Sequence, residues 1–145
     1  MNVYSFLDVY AALVGPGGVI SLGSGAGNSE EGITITPNGE INTTQIGADG
    51  TGQHSLSGDK SARITVRLLK TSPVNQLLMT LYNFQTANAA NHGQNTLTLT
   101  DKNRGDVVTC QQTAFQRAPD LSYARDAGFI EWEFSAIRVD RALGS

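Results

Sequence analysis

The sequence predicts a mostly β, α+β domain in which about seven strands and one helix form a sandwich around a single core. Three observations carry this. Runs such as "ARITVRLLK" and "GFIEWEFSA" alternate apolar and polar side chains, the period of a strand with one buried face. Turn formers, Gly15-Pro16-Gly17-Gly18 and Asn38-Gly39 among them, punctuate those runs. Only one segment, within 71–90, places apolar residues at helical spacing. At 145 residues the chain suits one domain with one core, residues 1–145 taken whole.

Val3–Gly15 is mixed in period, but its valines and aromatic residues favour a strand that the Gly-Pro-Gly-Gly turn closes. Val19–Leu22 is the expected returning arm, and Gly23–Gly32 reads as a flexible connection. Ile33 and Ile35 then share one strand face. Asn38-Gly39 is a strong hairpin signal, because both positions tolerate positive φ, and Ile41–Ile46 is the expected return. In "ARITVRLLK" Ile64, Val66 and Leu68 point inward and Arg63, Thr65 and Arg67 outward. The period then changes. Val74, Leu77, Leu78 and Leu81 form one helical stripe. Ser72 supplies the N-cap acceptor, and Pro73 follows at the first helical position, where it has no amide to leave unpaired. Gly93 ends the exit from this helix. Asn95–Asp101 and Asp106–Phe115 flank a hairpin turn at Lys102-Asn103-Arg104-Gly105. In the last strand Ile130, Trp132, Phe134 and Ala136 face the core, and Glu131, Glu133 and Ser135 face solvent. The predicted core is therefore built on Ile64, Val66, Leu68, Leu77, Leu78, Leu81, Trp132 and Phe134. No internal repeat is visible.

Residues 47–61 stand out. Twelve of the sixteen glycines fall between Gly15 and Gly58, and this stretch adds small polar and isolated charged residues. Loops beyond about 12–15 residues without structure of their own tend to be functional or disordered. It therefore needs a function.

Catalytic and ligand-binding templates fail on specific residues. Hydrophobic residues make up 39% of the chain and charged residues 16%, so a core can form beneath an unusually uncharged surface. The net charge is −3 with no run of Lys or Arg, which argues against a grip on nucleic acid. Cys110 is the only cysteine, so a disulfide within the chain and a cysteine zinc site from one subunit are excluded; a buried strand thiol is expected. "GPGGVI" and "GSGAGN" carry Ile20 and Asn28 where a dinucleotide fingerprint needs its last glycine. In "SGDKS" Asp59 stands where its charge repels phosphate. His54 and His92 lie in polar loops without a nucleophile–base pattern. "DKNRGD" lacks the spacing and terminal Glu of a calcium loop, and its Arg104-Gly105-Asp106 reads as a turn. Asn42-Thr43-Thr44 fits a glycosylation sequon, which has no use without secretion. The N-terminus has no basic region and carries Asp8 in its apolar run, a poor signal peptide, and no apolar stretch approaches the ~18–20 residues of a membrane helix. The expectation is a soluble intracellular product, not an enzyme, with no cofactor, metal or membrane partner.

Three segments, "QIGADGTG" at Gln45–Gly52, "SGDKSARITVRLLKTSPVNQLLMTLY" at Ser57–Tyr82 and "GFIEWEFSA" at Gly128–Ala136, resemble the tail tube proteins of tailed bacteriophages. The resemblance covers nearly the whole chain in order. It implies a tail-tube-type β-sandwich with one flanking α-helix, assembling as hexameric rings whose sheets join into a ring-wide β-barrel. Rings stack into the inner tail tube of the virion, made in the host cytoplasm, through which DNA passes during ejection without specific binding. Tail sheath, baseplate and tail terminator proteins are the implied partners. The resemblance assigns a role to the long loop. Gly47, Ala48, Asp49, Gly50, Thr51, Gly52, Gln53, His54, Ser55, Leu56, Ser57, Gly58, Asp59 and Lys60 become an inter-subunit or inter-ring contact that folds only against a partner. Glu131 and Glu133 are the candidate lumen face, beside the outward face of Arg63, Thr65 and Arg67, whose arginines are expected to pair with acids across subunits. Val3–Leu13 and Ile130–Val139 are the candidate edges that join around the ring. Two other readings compete: the inner tube of a contractile injection or secretion system, and a monomeric β-sandwich binding module. The loops at 15–32 and 47–61 contain no aromatic residue, which counts against the binding module.

Overall fold

A computed structural model describes residues 3–23 and 28–144, with the side chains of 28–31 left aside. A short 3-10 turn (Phe6–Asp8) leads into β1 (Val9–Gly15) and β2 (Gly18–Ser21). Then come β3 (Asn28–Pro37), β4 (Asn42–Ile46), β5 (Gly52–Leu56) and β6 (Ala62–Leu69), followed by α1 (Val74–Thr86). A 3-10 turn (Ala89–Asn91), β7 (Asn95–Asp101), β8 (Asp106–Arg117) and β9 (Phe129–Ala142) complete the chain. Seven strands make one antiparallel sheet in the order β2-β1-β7-β8-β9-β6-β3, and β4 and β5 form a separate two-stranded sheet. No described helix is long and apolar enough to cross a membrane.

The sheet is sandwich-like because it folds over on itself. Laid flat, seven strands at ~4.8 Å spacing would span about 29 Å. Yet its two edge strands are joined through the seven peptide steps from Ser21 to Asn28, which reach at most about 25 Å. The edges must therefore approach one another. The ring of Phe6, just before β1, indeed lies against Gly32 of β3, where φ is +61° and a Cβ would stand 3.3 Å from Phe6 Cε1. The fold line is visible in the burial pattern. On β8, Cys110 and Thr113 are both buried with exposed Gln111 and Gln112 between them; on β9, Val139 and Ala136 are buried around exposed Ile137 and Arg138. These stretches face each other, with Cys110 opposite Val139 and Thr113 opposite Ala136. Gln112 takes φ +50°, and β7 skips a residue at the same level. Such a bulge bends a strand and raises its twist. One half-sheet is thus β2, β1, β7 and the near parts of β8 and β9. The other is the far parts of β8 and β9 with β6 and β3.

A single core fills the fold. Ile64, Val66, Leu68, Leu78, Leu81, Trp132 and Phe134 are buried in it as expected. Helix α1 braces both halves. At its start Asn75 Oδ1 accepts from Trp132 Nε1 at 3.0 Å, and in its middle Tyr82 meets Phe115 edge-on at 5.5 Å. At its end Gln85 and Asn95 exchange two amide hydrogen bonds of 2.7 Å while wholly buried, and Gln85 Nε2 also donates to the Pro16 carbonyl. The helix starts one residue later than expected, with Pro73 at the N-cap and Val74 first in the helix; the Ser72 hydroxyl still accepts the Val74 N–H at 3.3 Å.

Several expectations are corrected. The first strand begins at Val9, because Ser5 Oγ accepts the Leu7 N–H and starts a 3-10 turn instead. The next strand begins at Asn28, inside the expected flexible connection, of which 24–27 lies outside the described residues. Asn38-Gly39 does not turn a hairpin. β3 pairs with β6, and Asn38 donates its N–H and its Nδ2 to the carbonyl and hydroxyl of Ser61. Neither candidate edge is free: β1 is paired on both sides, and β9 is flanked by β8 and β6 over 129–136. The sheet edges are β2 and β3. Leu77 is not core. The buried helical stripe is Val74, Leu78, Leu81 and Gln85, and Leu77 falls on its flank, 54% exposed.

Candidate assembly surfaces

The segment 47–61 is not a structureless loop. Its first half is the tip and returning arm of a hairpin, β4 paired with β5 from Asn42 opposite Leu56 to Ile46 opposite Gly52. The tip closes through Gly47 N–H to the Thr51 carbonyl (2.7 Å) and Gly50 N–H to the Gly47 carbonyl (3.0 Å), with Gly50 at φ +89°. Asp49 accepts the Thr51 N–H at 3.0 Å, and this bond holds its carboxyl below the usual range. All ten strand residues are exposed. An isolated two-stranded hairpin is marginal in water, so the arm's own pairing holds it only weakly.

Its base is pinned firmly. Ser57 N–H donates to the Ile41 carbonyl at 2.7 Å, and Val139 N–H to the Lys60 carbonyl at 3.0 Å. Asp59 takes hydrogen bonds from the hydroxyl (2.6 Å) and N–H (2.9 Å) of Ser61, the first of which does most to lower its pKa.

The hairpin has two unlike faces. Asn42, Thr44, Ile46, Gly52, His54 and Leu56 share one, where Asn42 Nδ2 and Thr44 Oγ1 lie 3.1 Å from His54 Nδ1 between two open apolar side chains. Thr43, Gln45, Gln53 and Ser55 share the other, tied by Gln53 Nε2 donating to Gln45 Oε1 at 2.7 Å.

The two half-sheets also present unlike outer faces. On the first, Tyr10, Ala12, Val14, the threonines at 96, 98 and 100, and Val107 stand in cross-strand rows. On the second, Arg63, Thr65, Arg67, Glu131 and Glu133 stand together. Glu131 and Glu133 do share one face, and it is the same face as the arginines. Arg67 does not wait for a neighbouring subunit: its Nε donates to Glu131 Oε2 of the opposite strand at 2.8 Å, and its guanidinium lies 5.0 Å from the Phe129 ring centre.

Sequence reading passed over 118–128, an exposed connection between β8 and β9. Lys70 reaches it, stacked 4.0 Å over the Tyr123 ring and donating to the Ser122 carbonyl, while Arg117 pairs with Asp120. Its Pro119, Asp120, Asp126 and Gly128 were the available signal. Cys110 is buried in β8, and burial pushes its thiol up to about 11. Among the described residues no three His, Cys, Asp or Glu side chains converge on a metal-sized site.

Solved structures share this fold. A chain described as the sheath/tube terminator of an extracellular contractile injection system in its extended state aligns over 98% of each chain with a TM-score of 0.62 and 16% identity. A chain from the tail of an empty GTA particle, refined helically with C6 symmetry, aligns over 99% of this chain and 100% of its own at 0.58 and 16% identity. The tube-terminating cap of an anti-feeding prophage aligns over 99% and 93% at 0.55 and 8% identity. No curated protein matches in sequence. The bacteriophage PhiTE tail tube family matches residues 1–144. The match over residues 1–144 makes this chain a member of the bacteriophage PhiTE tail tube protein family.

Proposed function

We propose that the chain polymerises as hexameric rings that stack into the inner tail tube, a structural and non-catalytic part of the virion through which phage DNA passes during ejection. The observation that carries this is the hairpin at 42–56, exposed at every paired position and tied at its base to its own domain by backbone hydrogen bonds. A contact of this head-to-tail kind closes into rings or continues as an open filament. Residues 47–60 belong to that contact. The face of Glu131 and Glu133, where Glu131 pairs with Arg67 and Arg63 stands in the same cross-strand rows, supplies a wall of mixed charge along which phosphates pass. Exposed edges β2 and β3 are available to join neighbouring sheets. Sheath, baseplate and terminator proteins are the proposed partners, supported by the likeness to chains of sheath–tube, baseplate and terminator assemblies. The chain is made in the host cytoplasm before it enters the tail.

Negative-stain electron microscopy of the purified protein over a concentration series tests the proposal. Rings with a central hole, or tubes of uniform width, are expected. Particles that stay monomeric at every concentration, and after addition of tail tips as an initiator, overturn it. The likeness to a contractile-injection terminator favours a second reading, an inner tube without a capsid. Particles isolated from producing cells separate the two, since only the phage reading places a DNA-filled head on the tube.

A further inference from the structure

Helix α1 carries more apolar side chain than its own core covers: Leu77 is 54% exposed and Phe84 49%, on the flank beside buried Leu81. Val19 of β2 stands next to them, 69% exposed. Together these line a groove of about 330 Å³ with Gly17, Gly18, Ile20, Gln76 and Thr80, without one charged side chain. Gly17 forms its floor, at φ +101° and so close to the helix that a Cβ would stand 2.9 Å from the Phe84 ring. Exposed apolar side chains with no charge among them are the signature of an interface centre.

The hairpin supplies a matching plug. Its Asn42–Leu56 face carries no charged residue, and its two apolar side chains, Ile46 and Leu56, are 66% and 83% exposed. Gly52, directly opposite Ile46, leaves that side chain uncovered. The two anchors lie about 13 Å apart along the hairpin, and Leu77 and Phe84 about 10 Å apart along the helix. The opposite face, Thr43, Gln45, Gln53 and Ser55, offers no apolar anchor. We infer that the Ile46/Leu56 face of the hairpin docks into the Leu77–Phe84–Val19 groove of a second copy of this chain. The inference rests on the proposed tube assembly and names the contact within it.

A photo-crosslinking amino acid at Leu56, in assembled full-length protein, tests the docking by mass-spectrometric mapping of the joined peptides. Crosslinks between copies that land in 17–20 or 76–84 are expected. Crosslinks confined to other segments, or to the same copy, overturn the inference while rings on the grid leave the tube reading standing. If no rings form, both fall. Substitution gives an independent readout. L56S and F84S should each raise the concentration needed for assembly at least about tenfold, with unchanged circular dichroism. T43N and Q45S on the far face should leave it unchanged. Equal losses from both faces would overturn the choice of face.

Discussion

Gln85 and Asn95 form a closed pair in which each amide satisfies the other out of reach of water, and a third bond to the Pro16 carbonyl ties helix, strand and turn together. Gly15 makes room for it, since a Cβ there would run into Asn95 Oδ1. Replacing only Asn95 by Leu strands a buried amide, and a loss of about 2–3 kcal/mol is expected in urea unfolding. The double variant Q85L/N95L, with no polar atom left unpaired, should recover part of that loss. Cys110 gives a pH dependence of definite sign. Its thiol ionises near 9.0 when free of the fold and at about 11 within it. Between those values the unfolded chain gives up its proton and the native chain keeps it, so the contribution is complete below 9 and declines as pH rises towards 11. Wild type should lose stability relative to Cys110→Ala from pH 8.5 to 10.5, compared by denaturant midpoints at each pH.

Helix and hairpin divide their work between core and surface. Leu78 is fully buried and Leu77 half-exposed on the same turn of α1. Leu78→Ala should therefore cost about 2–5 kcal/mol by the cavity it leaves, and Leu77→Ala under about 1 kcal/mol, both read from unfolding curves. Every strand residue of the hairpin is exposed, so it adds no buried side chain to the monomer. The Ile41 carbonyl and Ser57 N–H already meet across its base, so a two-glycine bridge can replace 42–56. That deletion should leave the unfolding midpoint within a few degrees of wild type and abolish rings and tubes on the grid.

The whole molecule is a folded-over sheet with a charged outer face on one half and an apolar–threonine face on the other. If the charged half faces the channel, turning its balanced set of Arg63, Arg67, Glu131 and Glu133 wholly cationic alters DNA passage and not assembly. E131K/E133K should still form tubes of normal width. Ejection from particles carrying it should be slower and should recover with added salt, because cationic side chains bind phosphate by a screenable attraction. Unchanged ejection kinetics would remove Glu131 and Glu133 from the channel wall.

Period and turn chemistry are local properties, and the sequence by itself determined what depends on them. These are the inward faces of β6 and β9, the β1–β2 and β7–β8 hairpins, the Ser72 cap and the single helix. Asn38-Gly39 shows where local logic stops. A turn former permits a hairpin, but β3 gains more by burying Ile33 and Ile35 beside β6, so its partner lies across the sequence and β4 turns at Gly47–Thr51 instead. The fold line at Gln111–Gln112 and Ile137–Arg138 was equally hidden, because it follows from two strands bending together, and neither run departs from strand chemistry alone. The same holds for the surfaces. The sequence marked 47–61 as a segment in need of a partner, but only the tertiary structure sorted its side chains onto two faces and set Val19, Leu77 and Phe84 around one groove. Burial is shared among segments distant in the chain, and which apolar residues remain uncovered is decided only when the core is complete.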